Sequence, residues 1–372
     1  MKLSINCTHL RELVAAVLPA VAVGDSITSG VRLEADDCGR LLATATNYET
    51  TVKAWAEADI ASEGAVVAPG LMLAKALGTL PDDALVRLTS DDEGNHLTVE
   101  AARARFEINC KPLREWPEID APQGGRRIDF EAAQLLTGLQ FVVPFVCNSD
   151  LRPSICHVHV KIAGGDLQLT STDGLRLARY TVGHTDREAN LLALVGRLAV
   201  AQVLAALKRE GNDCAPFLEV SGKSLLFHVG KTSIQSRMAD HAFPDANRVI
   251  HAENRSAQFE FVRNDLIASV NRAAIMGAKD GDQVVHMALR DATLHISASS
   301  AIGRGAAADD LDLFSGSGGK LEITVNPAFL VGALRSFPAE HVTLQAIDNF
   351  SPIQITTDEC PGCVHVAMPV RV

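Results

Sequence analysis

Three stretches of the chain have the same pattern: Leu3-Ser-Ile-Asn-Cys-Thr-His-Leu10, Ile128-Asp-Phe-Glu-Ala-Ala-Gln-Leu-Leu136 and Phe259-Glu-Phe-Val-Arg-Asn-Asp-Leu266. Each stretch passes from a short alternating strand pattern into a helix with apolar periodicity. The pattern recurs about every 125 residues, far beyond the roughly 20 to 50 residues of solenoid and propeller repeats. Each copy is therefore expected to be a whole domain with its own core.

Later elements repeat in the same order. Turn signals lead into strands of small and β-branched residues at Gly39–Thr46, Asp166–Thr172 and Thr293–Ser299. A second helix is predicted in each copy, at Pro69–Leu80, Arg197–Arg209 and Asn326–Phe337. Each copy closes on strands and a proline, at Pro117, Pro244 and Pro369.

These observations predict an α+β protein of three similar domains, 1–125, 126–251 and 252–372, with boundaries in polar, Pro- and Gly-containing stretches. Each domain would hold two helices and roughly seven or eight strands. A helix pair covers only one face of a sheet, so neighbouring domains are expected to place sheets outside and helices inside.

Composition indicates a globular, non-membrane protein. Apolar residues make up 47% of the chain. We find neither a stretch of the roughly 20 apolar residues that span a bilayer nor a signal-peptide pattern, so we expect a cytoplasmic protein. In that reducing compartment the 8 cysteines are expected to be thiols.

The net charge of −11 argues against bulk electrostatic coating of nucleic acid. Cations nevertheless occur on the predicted helices, while acidic residues gather mainly in turns. If the helices share one surface, that surface is less acidic than the rest; ordinary solvated helix positions are the alternative. The helix cations are Arg11, Lys75, Arg197, Lys208, Arg209, Arg263, Arg272 and Arg335.

Three motifs carry a family resemblance: Ser171-Thr-Asp-Gly-Leu-Arg-Leu-Ala178, Phe243-Pro-Asp-Ala-Asn-Arg-Val249 and Val366-Ala-Met-Pro-Val-Arg-Val372. They resemble signatures of the bacterial sliding clamp, the β subunit of DNA polymerase III. The resemblance spans the whole chain in order, on a threefold repeat.

The resemblance implies a head-to-tail homodimer, a six-domain ring around duplex DNA that tethers the replicative polymerase. A ring holds DNA topologically, so its inner cations need only weak phosphate contacts. The helix cations named above are the candidates to face DNA.

The resemblance also implies an interface between the first domain of one subunit and the third domain of the other. Phe106 and Ile108 would meet Ile275 and Met276, while Arg103 and Arg105 would face Asp309, Asp310 and Asp312. The alternative places Phe106 and Ile108 in the core of their own domain, because an alternating strand buries one face.

A second implied site is a peptide pocket between the second and third domains, where polymerases, the clamp loader and other clamp-binding-motif proteins insert a short hydrophobic segment. Core packing is the alternative for its apolar members. The matching residues are Arg152, Ile155, Thr172, Gly174, Leu175, Arg176, Leu177, Pro244, Arg248, Val249, Asn326, Phe329, Phe350, Pro352, Val366, Met368, Pro369, Val370 and Arg371.

Several positions depart from the family pattern. Leu175 replaces a common histidine, Ala246-Asn247 replaces an aromatic or basic pair, and Phe350 and Pro352 replace small residues. These changes suggest a divergent clamp whose altered pocket rejects a clamp-directed inhibitor while keeping partner peptides.

Enzyme readings find little support. Cys360-Pro-Gly-Cys363 has zinc or redox spacing, but a second ligand pair is missing and Pro-Gly is typical of a hairpin tip. Ser315-Gly-Ser-Gly-Gly-Lys320 lacks the glycine and hydroxyl of a phosphate loop and is expected to be flexible. We predict a non-catalytic protein without metal or cofactor; a small zinc or redox protein using Cys360 and Cys363 is the alternative of another class.

Overall fold

The computed structural model describes residues 1–119, 124–149, 151–250, 257–276, 284–290, 292–299, 305–318 and 321–370. Its α-helices are α1 (Cys7–Val17), α2 (Gly70–Gly78), α3 (Ala132–Val142), α4 (Arg197–Glu210), α5 (Arg263–Ala274) and α6 (Pro327–Ser336). The predicted second helices therefore form as α2, α4 and α6. In these described parts, no helix is long and apolar enough to cross a membrane.

Side-chain caps fix where two of the helices begin. The Asn6 side chain accepts a hydrogen bond from the Thr8 backbone N–H at the start of α1. Asn326 accepts from the N–H groups of Ala328 and Phe329 at the start of α6, and Pro327 occupies the first turn. Such caps satisfy backbone donors that have no partner inside the helix.

The first third of the chain contributes β1 (Lys2–Asn6), β2 (Gly30–Ala35), β3 (Arg40–Thr46), β4 (Thr50–Glu57), β5 (Asp59–Ser62), β6 (Gly64–Pro69), β7 (Leu85–Ser90), β8 (His96–Ala101) and β9 (Ala104–Asn109). The middle third contributes β10 (Arg126–Asp129), β11 (His157–Ala163), β12 (Asp166–Thr172), β13 (Arg176–Gly183), β14 (Leu191–Gly196), β15 (Phe217–Ser221), β16 (Ser224–Val229) and β17 (Thr232–Arg237). The last third contributes β18 (Ala257–Val262), β19 (Val285–Arg290), β20 (Thr293–Ser299), β21 (Ala306–Asp312), β22 (Ser315–Gly318), β23 (Glu322–Val325), β24 (His341–Ala346), β25 (Ile353–Thr356) and β26 (Cys363–Ala367).

The chain divides into two compact units. The first unit comprises Met1–Leu136 and Val195–Ala239. It contains a five-stranded sheet of order β5-β1-β7-β8-β9 and an eight-stranded sheet of order β10-β15-β16-β17-β4-β3-β2-β6. α1 packs against β3 and β4, and its buried face includes Leu10, Leu13 and Val14.

The second unit comprises Thr137–Leu194 and Asp240–Val372. Its sheets have the orders β14-β11-β12-β13-β26-β25-β24-β18-β22 and β21-β20-β19-β23. An aromatic cluster lies in its core, where His365 contacts the rings of Phe141, Phe145 and Phe337. Fully burying a side chain of this size stabilises the fold by about 2 kcal/mol.

Sheet pairing explains why the units cut across the middle third of the chain. β17 pairs with β4 of the first third, and β13 pairs with β26 of the last third. Each large sheet is thus continuous between elements of two sequence repeats. The three-domain division at 125 and 251 stays a prediction from the repeat.

The expectation of a flexible loop at Ser315–Lys320 is wrong for its first four residues. Ser315–Gly318 form β22, which pairs with β18, and the Ser315 hydroxyl donates to the Glu260 carboxylate. The backbone of β18 provides hydrogen-bond partners for this segment, and the composition of the segment alone does not reveal them. Gly319 and Lys320 lie outside the described residues.

Candidate functional site

The second unit holds a groove with a cavity of about 520 Å³, which we call the apolar groove. Its lining includes many of the predicted pocket residues, namely Arg152, Ile155, Thr172, Gly174, Leu175, Arg176, Leu177, Pro244, Val249, Val366 and Met368. Leu151, Pro153, Ser154, Asp245 and Ala246 also line it and were missed. The sequence could have indicated them, because they are neighbours of predicted residues in the Asp150-Leu-Arg152 and Phe243-Pro-Asp segments.

A tight turn between β12 and β13 shapes one wall of the apolar groove. The Thr172 hydroxyl donates to the Arg176 carbonyl at 2.7 Å and accepts from the Gly174 N–H at 3.0 Å. The Asp173 carboxylate accepts from the N–H groups of Leu175 and Arg176, both at 3.0 Å. Short polar side chains that bond the following backbone in this way are typical turn formers.

The backbone conformation at Gly174 favours glycine at this turn. Its φ of +92° lies in the left-handed region that favours glycine. A Cβ there would also lie 2.7 Å from Nη1 of Arg152. Glycine therefore lets the Arg152 side chain pack closely over the turn.

The floor of the apolar groove is a small hydrophobic core. Leu177, Ala246 and Val366 are buried together, with Val249 packed against them. Leu177 faces Val366 across the β13–β26 pairing. These residues therefore both pack in the core and line the groove, because the surface of this core forms the floor of the groove.

The rim differs from the floor in exposure. Leu151, Leu175 and Met368 are 92%, 51% and 41% exposed. Such clustered apolar side chains on a cavity rim are unusual for a surface without a partner. The groove therefore offers apolar anchors to a hydrophobic segment.

Arg176 forms the polar end of the groove wall. Its guanidinium lies 4.9 Å from the Phe145 ring centre and 4.6 Å from that of Phe329. Its Nε donates to the Asp173 carboxylate at 2.8 Å. Phe329 and Asn326 are not among the residues that line the cavity; the Phe329 ring contacts Arg176, and Asn326 caps α6.

The structure gives other surroundings for five further predicted pocket residues. Arg248, Phe350, Pro352, Pro369 and Val370 are not among the lining residues of the apolar groove. Phe350 is 71% exposed on a turn held by Asp348, and Val370 is tied to the Thr324 carbonyl through its N–H. Arg371 lies outside the described residues.

The predicted DNA-facing cations fall into two groups. In the first group the cation is held by its own chain: Arg11 pairs with Asp82 and donates to the carbonyls of Leu77 and Leu80, and Arg272 pairs with Asp309. Arg209 donates to the Thr232 hydroxyl and Arg263 to the Phe337 carbonyl. The second group, Lys75, Lys208 and Arg335, is exposed on helices, and Arg197 is exposed at the start of α4.

The predicted interface residues lie at sheet edges. β9 is the last strand of the five-stranded sheet, and it exposes Arg105 while half-burying Phe106. Arg105 pairs within its own unit with Glu100 and Glu107. Ile108 is 2% exposed, so it packs inside its own unit and is a core residue rather than a contact surface.

On the second unit, the predicted interface partners are exposed. Ile275 and Met276, which follow α5, are 74% and 40% exposed. Asp309, on the edge strand β21, accepts from the Ser269 hydroxyl and from Arg272. These contacts hold the pKa of Asp309 below its ordinary value, with the Arg272 hydrogen bond as the main cause. Asp309 is thus already occupied within its own unit, and Arg103 is exposed on the first unit.

Cys360 and Cys363 sit at the turn between β25 and β26, with their sulfur atoms 2.9 Å apart. Burial raises the pKa of the Cys363 thiol. Within the described ranges, no group of three or more His, Cys, Asp or Glu side chains is arranged to hold a metal ion. Among the described residues, the pair therefore has none of the further ligands that a structural zinc site requires.

Comparisons with known proteins agree with the geometry. The family model for the DNA polymerase III β subunit N-terminal domain matches residues 1–120, and that for its C-terminal domain matches residues 248–371. The β sliding clamp of Haemophilus influenzae is 26% identical over 351 residues, covering 93% of this chain and 92% of the relative. That of Caulobacter vibrioides is 25% identical over 380 residues and covers 100% of both chains.

Solved clamp structures share the fold. The β subunit from Thermotoga maritima superposes with a TM-score of 0.90 at 23% identity, covering 100% of this chain and 99% of that chain. The Pseudomonas aeruginosa clamp bound to griselimycin gives 0.90 at 21% identity and covers 100% of both. The predicted α+β clamp fold is confirmed. The two family matches together span more than half of the sequence, and the chain belongs to the DNA polymerase III β subunits, the non-catalytic processivity factors called β sliding clamps.

Proposed function

We propose that this chain forms a ring around duplex DNA and tethers the replicative polymerase, the clamp loader and other partners through the apolar groove. The observation that carries the proposal is the exposed apolar rim of Leu151, Leu175 and Met368 above a buried apolar floor. Short peptides bind such grooves by inserting a few apolar anchors, while polar groups fix their orientation. Arg152 and Arg176 are the polar groups available here.

The negative net charge is compatible with this role because a closed ring does not depend on affinity to stay on DNA. Tight phosphate binding would oppose sliding. The exposed helix residues Lys75, Lys208 and Arg335 would supply weak, sequence-independent phosphate contacts, and Arg197 at the start of α4 is a further candidate. Arg11, Arg209, Arg263 and Arg272 would contribute less, since each is engaged within its own unit.

Ring closure would use the edge strands. β9 and β21 each end a sheet, and an edge strand offers unpaired backbone groups to a second chain. Head-to-tail pairing of these edges is heterologous and closes after two subunits if each contributes three similar domains. Phe106, Ile275 and Met276 would form the apolar contact at this interface.

The decisive experiment is titration of a labelled consensus clamp-binding peptide, of the glutamine-then-leucine-and-phenylalanine type, into the purified protein. Its mass is measured in the same buffer. Micromolar binding by a dimer would support the proposal. A dimer that ignores the peptide would mean that the ring is kept while the partners differ, and a monomer that binds it would separate tethering from ring formation.

A second role concerns inhibitors. The Pseudomonas aeruginosa clamp has been solved with griselimycin bound. In this chain the exposed Leu175 replaces a histidine common in the family and changes the rim of the apolar groove. A divergent clamp with this rim would keep partner peptides and bind griselimycin weakly, giving resistance. Griselimycin binding as tight as that of the Pseudomonas aeruginosa clamp, measured side by side, would exclude this role. In both roles the protein would act on DNA in the cytoplasm.

A further inference from the structure

The first unit contains another groove, with a cavity of about 480 Å³, which we call the polar groove. Tyr48, Pro117 and Ile119 give it an apolar side. The remaining lining side chains are polar or charged: Thr46, Glu49, Thr51, Glu118, Ser221, Lys223, Ser224, Gln235, Ser236 and Arg237. None of these residues belongs to the apolar groove.

A turn of the same kind forms part of the wall of each groove. The Thr46 hydroxyl lies 3.3 Å from the Thr50 carbonyl and accepts from the Tyr48 N–H at 3.1 Å. The Asn47 side chain accepts from the N–H groups of Glu49 and Thr50. Thr172 and Asp173 make the equivalent bonds in the apolar groove. The two turns lie at matching places in the sequence repeat.

Strand pairing extends the correspondence beyond the turn. In the first unit Thr50 faces Ser236 and Thr51 faces Gln235. In the second unit Arg176 faces Ala367 and Leu177 faces Val366. Pro117 and Pro244 then occupy matching positions after the last strands of their repeats. The two grooves therefore have equivalent strand register as well as equivalent turns.

The chemistry of the walls is what differs. Matching positions place Thr51 at Leu177, Gln235 at Val366 and Arg237 at Met368. Glu49 takes the place of Leu175, one residue after the left-handed position of each turn. Apolar anchors for a hydrophobic segment are thus replaced by hydroxyl, amide and charged groups.

The backbone conformation of Tyr48 is a second observation that supports binding at the polar groove. Its φ is +72°, and it occupies the turn position where the apolar groove has Gly174. A bulky aromatic residue is strained in this conformation, and such strain concentrates at functional positions. Its ring is 70% exposed, so burial in the core does not offset the strain.

We propose that the polar groove is a second peptide-binding site, which takes an extended segment carrying an acidic side chain and a flat apolar one. The exposed Arg237 guanidinium would receive the carboxylate, since arginine binds carboxylates in a bidentate geometry. The Tyr48 ring would stack against a proline or aromatic side chain. This site is independent of whether the apolar groove binds clamp partners.

The test selects displayed random short peptides on full-length Leu175→Asp protein, in which the apolar groove is disabled. Selected peptides are titrated against that protein and against versions that also carry Tyr48→Gly or Arg237→Gln. Glycine suits the left-handed backbone, so Tyr48→Gly is expected to keep or raise the melting temperature.

The expected result is acidic peptides with proline or an aromatic residue, whose affinity falls about tenfold or more with either substitution. A fall in affinity without a fall in melting temperature separates binding from folding. Failure to select any peptide, or selection of peptides that bind all three proteins equally, would overturn the proposal.

Discussion

The Nδ1 atom of His365 lies 3.1 Å from the carbonyl oxygen of Leu177 and joins the buried core of the second unit to the floor of the apolar groove. A carbonyl only accepts, so Nδ1 carries the proton. Nε2 lies 2.8 Å from the Ser336 hydroxyl, whose single proton is shared between Nε2 and the Ala333 carbonyl at 2.7 Å. When the hydroxyl donates to Nε2, both ring nitrogens are satisfied in the neutral imidazole.

Burial gives His365 a pH-dependent effect on stability. Burial, and to a smaller extent the charge of Arg176, lowers the pKa of His365 to about 3. Between its ordinary pKa of about 6.5 and pH 3, the unfolded chain binds a proton that the folded chain does not. Stability is therefore lost as the pH falls, by about 2 kcal/mol between pH 7.5 and pH 5.

His365→Gln removes this titration. We expect the difference in unfolding free energy between wild type and this variant to shrink by about 2 kcal/mol from pH 7.5 to pH 5. Urea unfolding at both pH values measures it. Because every other titrating group is common to both proteins, parallel pH profiles would show that His365 titrates normally.

A second prediction concerns the contribution of Arg176 to stability. Its guanidinium lies between two aromatic rings and pairs with Asp173, and its side chain is only 19% exposed. Lysine keeps the charge but loses the planar stacking and the fixed hydrogen-bond geometry. Arg176→Lys should lower the unfolding free energy by about 1–2 kcal/mol. Arg335→Lys, at an exposed position on α6, is the control and should change it little; equal effects would contradict the stacking argument.

Leu175 is predicted to be a binding anchor rather than a structural residue. It is 51% exposed, so Leu175→Ala should leave the melting temperature unchanged. It should weaken binding of the consensus clamp peptide by about tenfold, the usual cost of removing an interface anchor. Leu192→Ala is a matched control, because Leu192 is 67% exposed on β14 and does not line the groove. Similar losses in both variants would remove Leu175 from the site.

Much of this architecture could be predicted from the sequence because it depends on local patterns. Thr172, Asp173 and Gly174 predict a turn, and the alternating strands around it predict a buried floor at Leu177. Repetition of the same signals placed α2, α4 and α6 correctly.

Other features depend on partners that are distant in sequence. Phe329 contacts Arg176 from another element, and whether it lines the cavity depends on packing geometry. Ile108 belongs to the core because its strand buries one face against its own sheet. Ser315–Gly318 become a strand only because the β18 edge is available. Periodicity alone does not determine these outcomes.

The proposed interface predicts a change of oligomeric state. Ile275 is 74% exposed at the end of α5, so an aspartate there should fold normally in the monomer. In a closed ring it would bury a charge against apolar groups, which is strongly unfavourable. Ile275→Asp should therefore convert dimers into monomers, as measured by light scattering. Phe350→Asp, at an equally exposed aromatic position, should remain dimeric; dissociation of both variants would argue against this interface.

The exposed helix cations should control how strongly the protein contacts DNA. Each phosphate contact adds about 0.9 to the slope of log affinity against log salt. If Lys75, Lys208 and Arg335 all contact phosphates, their combined substitution by alanine should lower that slope by about 2–3. Fluorescence anisotropy with short duplex DNA, over a series of salt concentrations, measures the change.

The control for this measurement has the same change in net charge. Lys2, Arg87 and Lys161 are exposed cations on strands, and alanine at all three should leave the slope nearly unaltered. If both triple variants lower the slope equally, the binding of DNA depends on the net charge of the protein and not on the helix surface. An unchanged slope in the helix variant would instead assign the contacts to the remaining predicted cations, Arg11, Arg197, Arg209, Arg263 and Arg272.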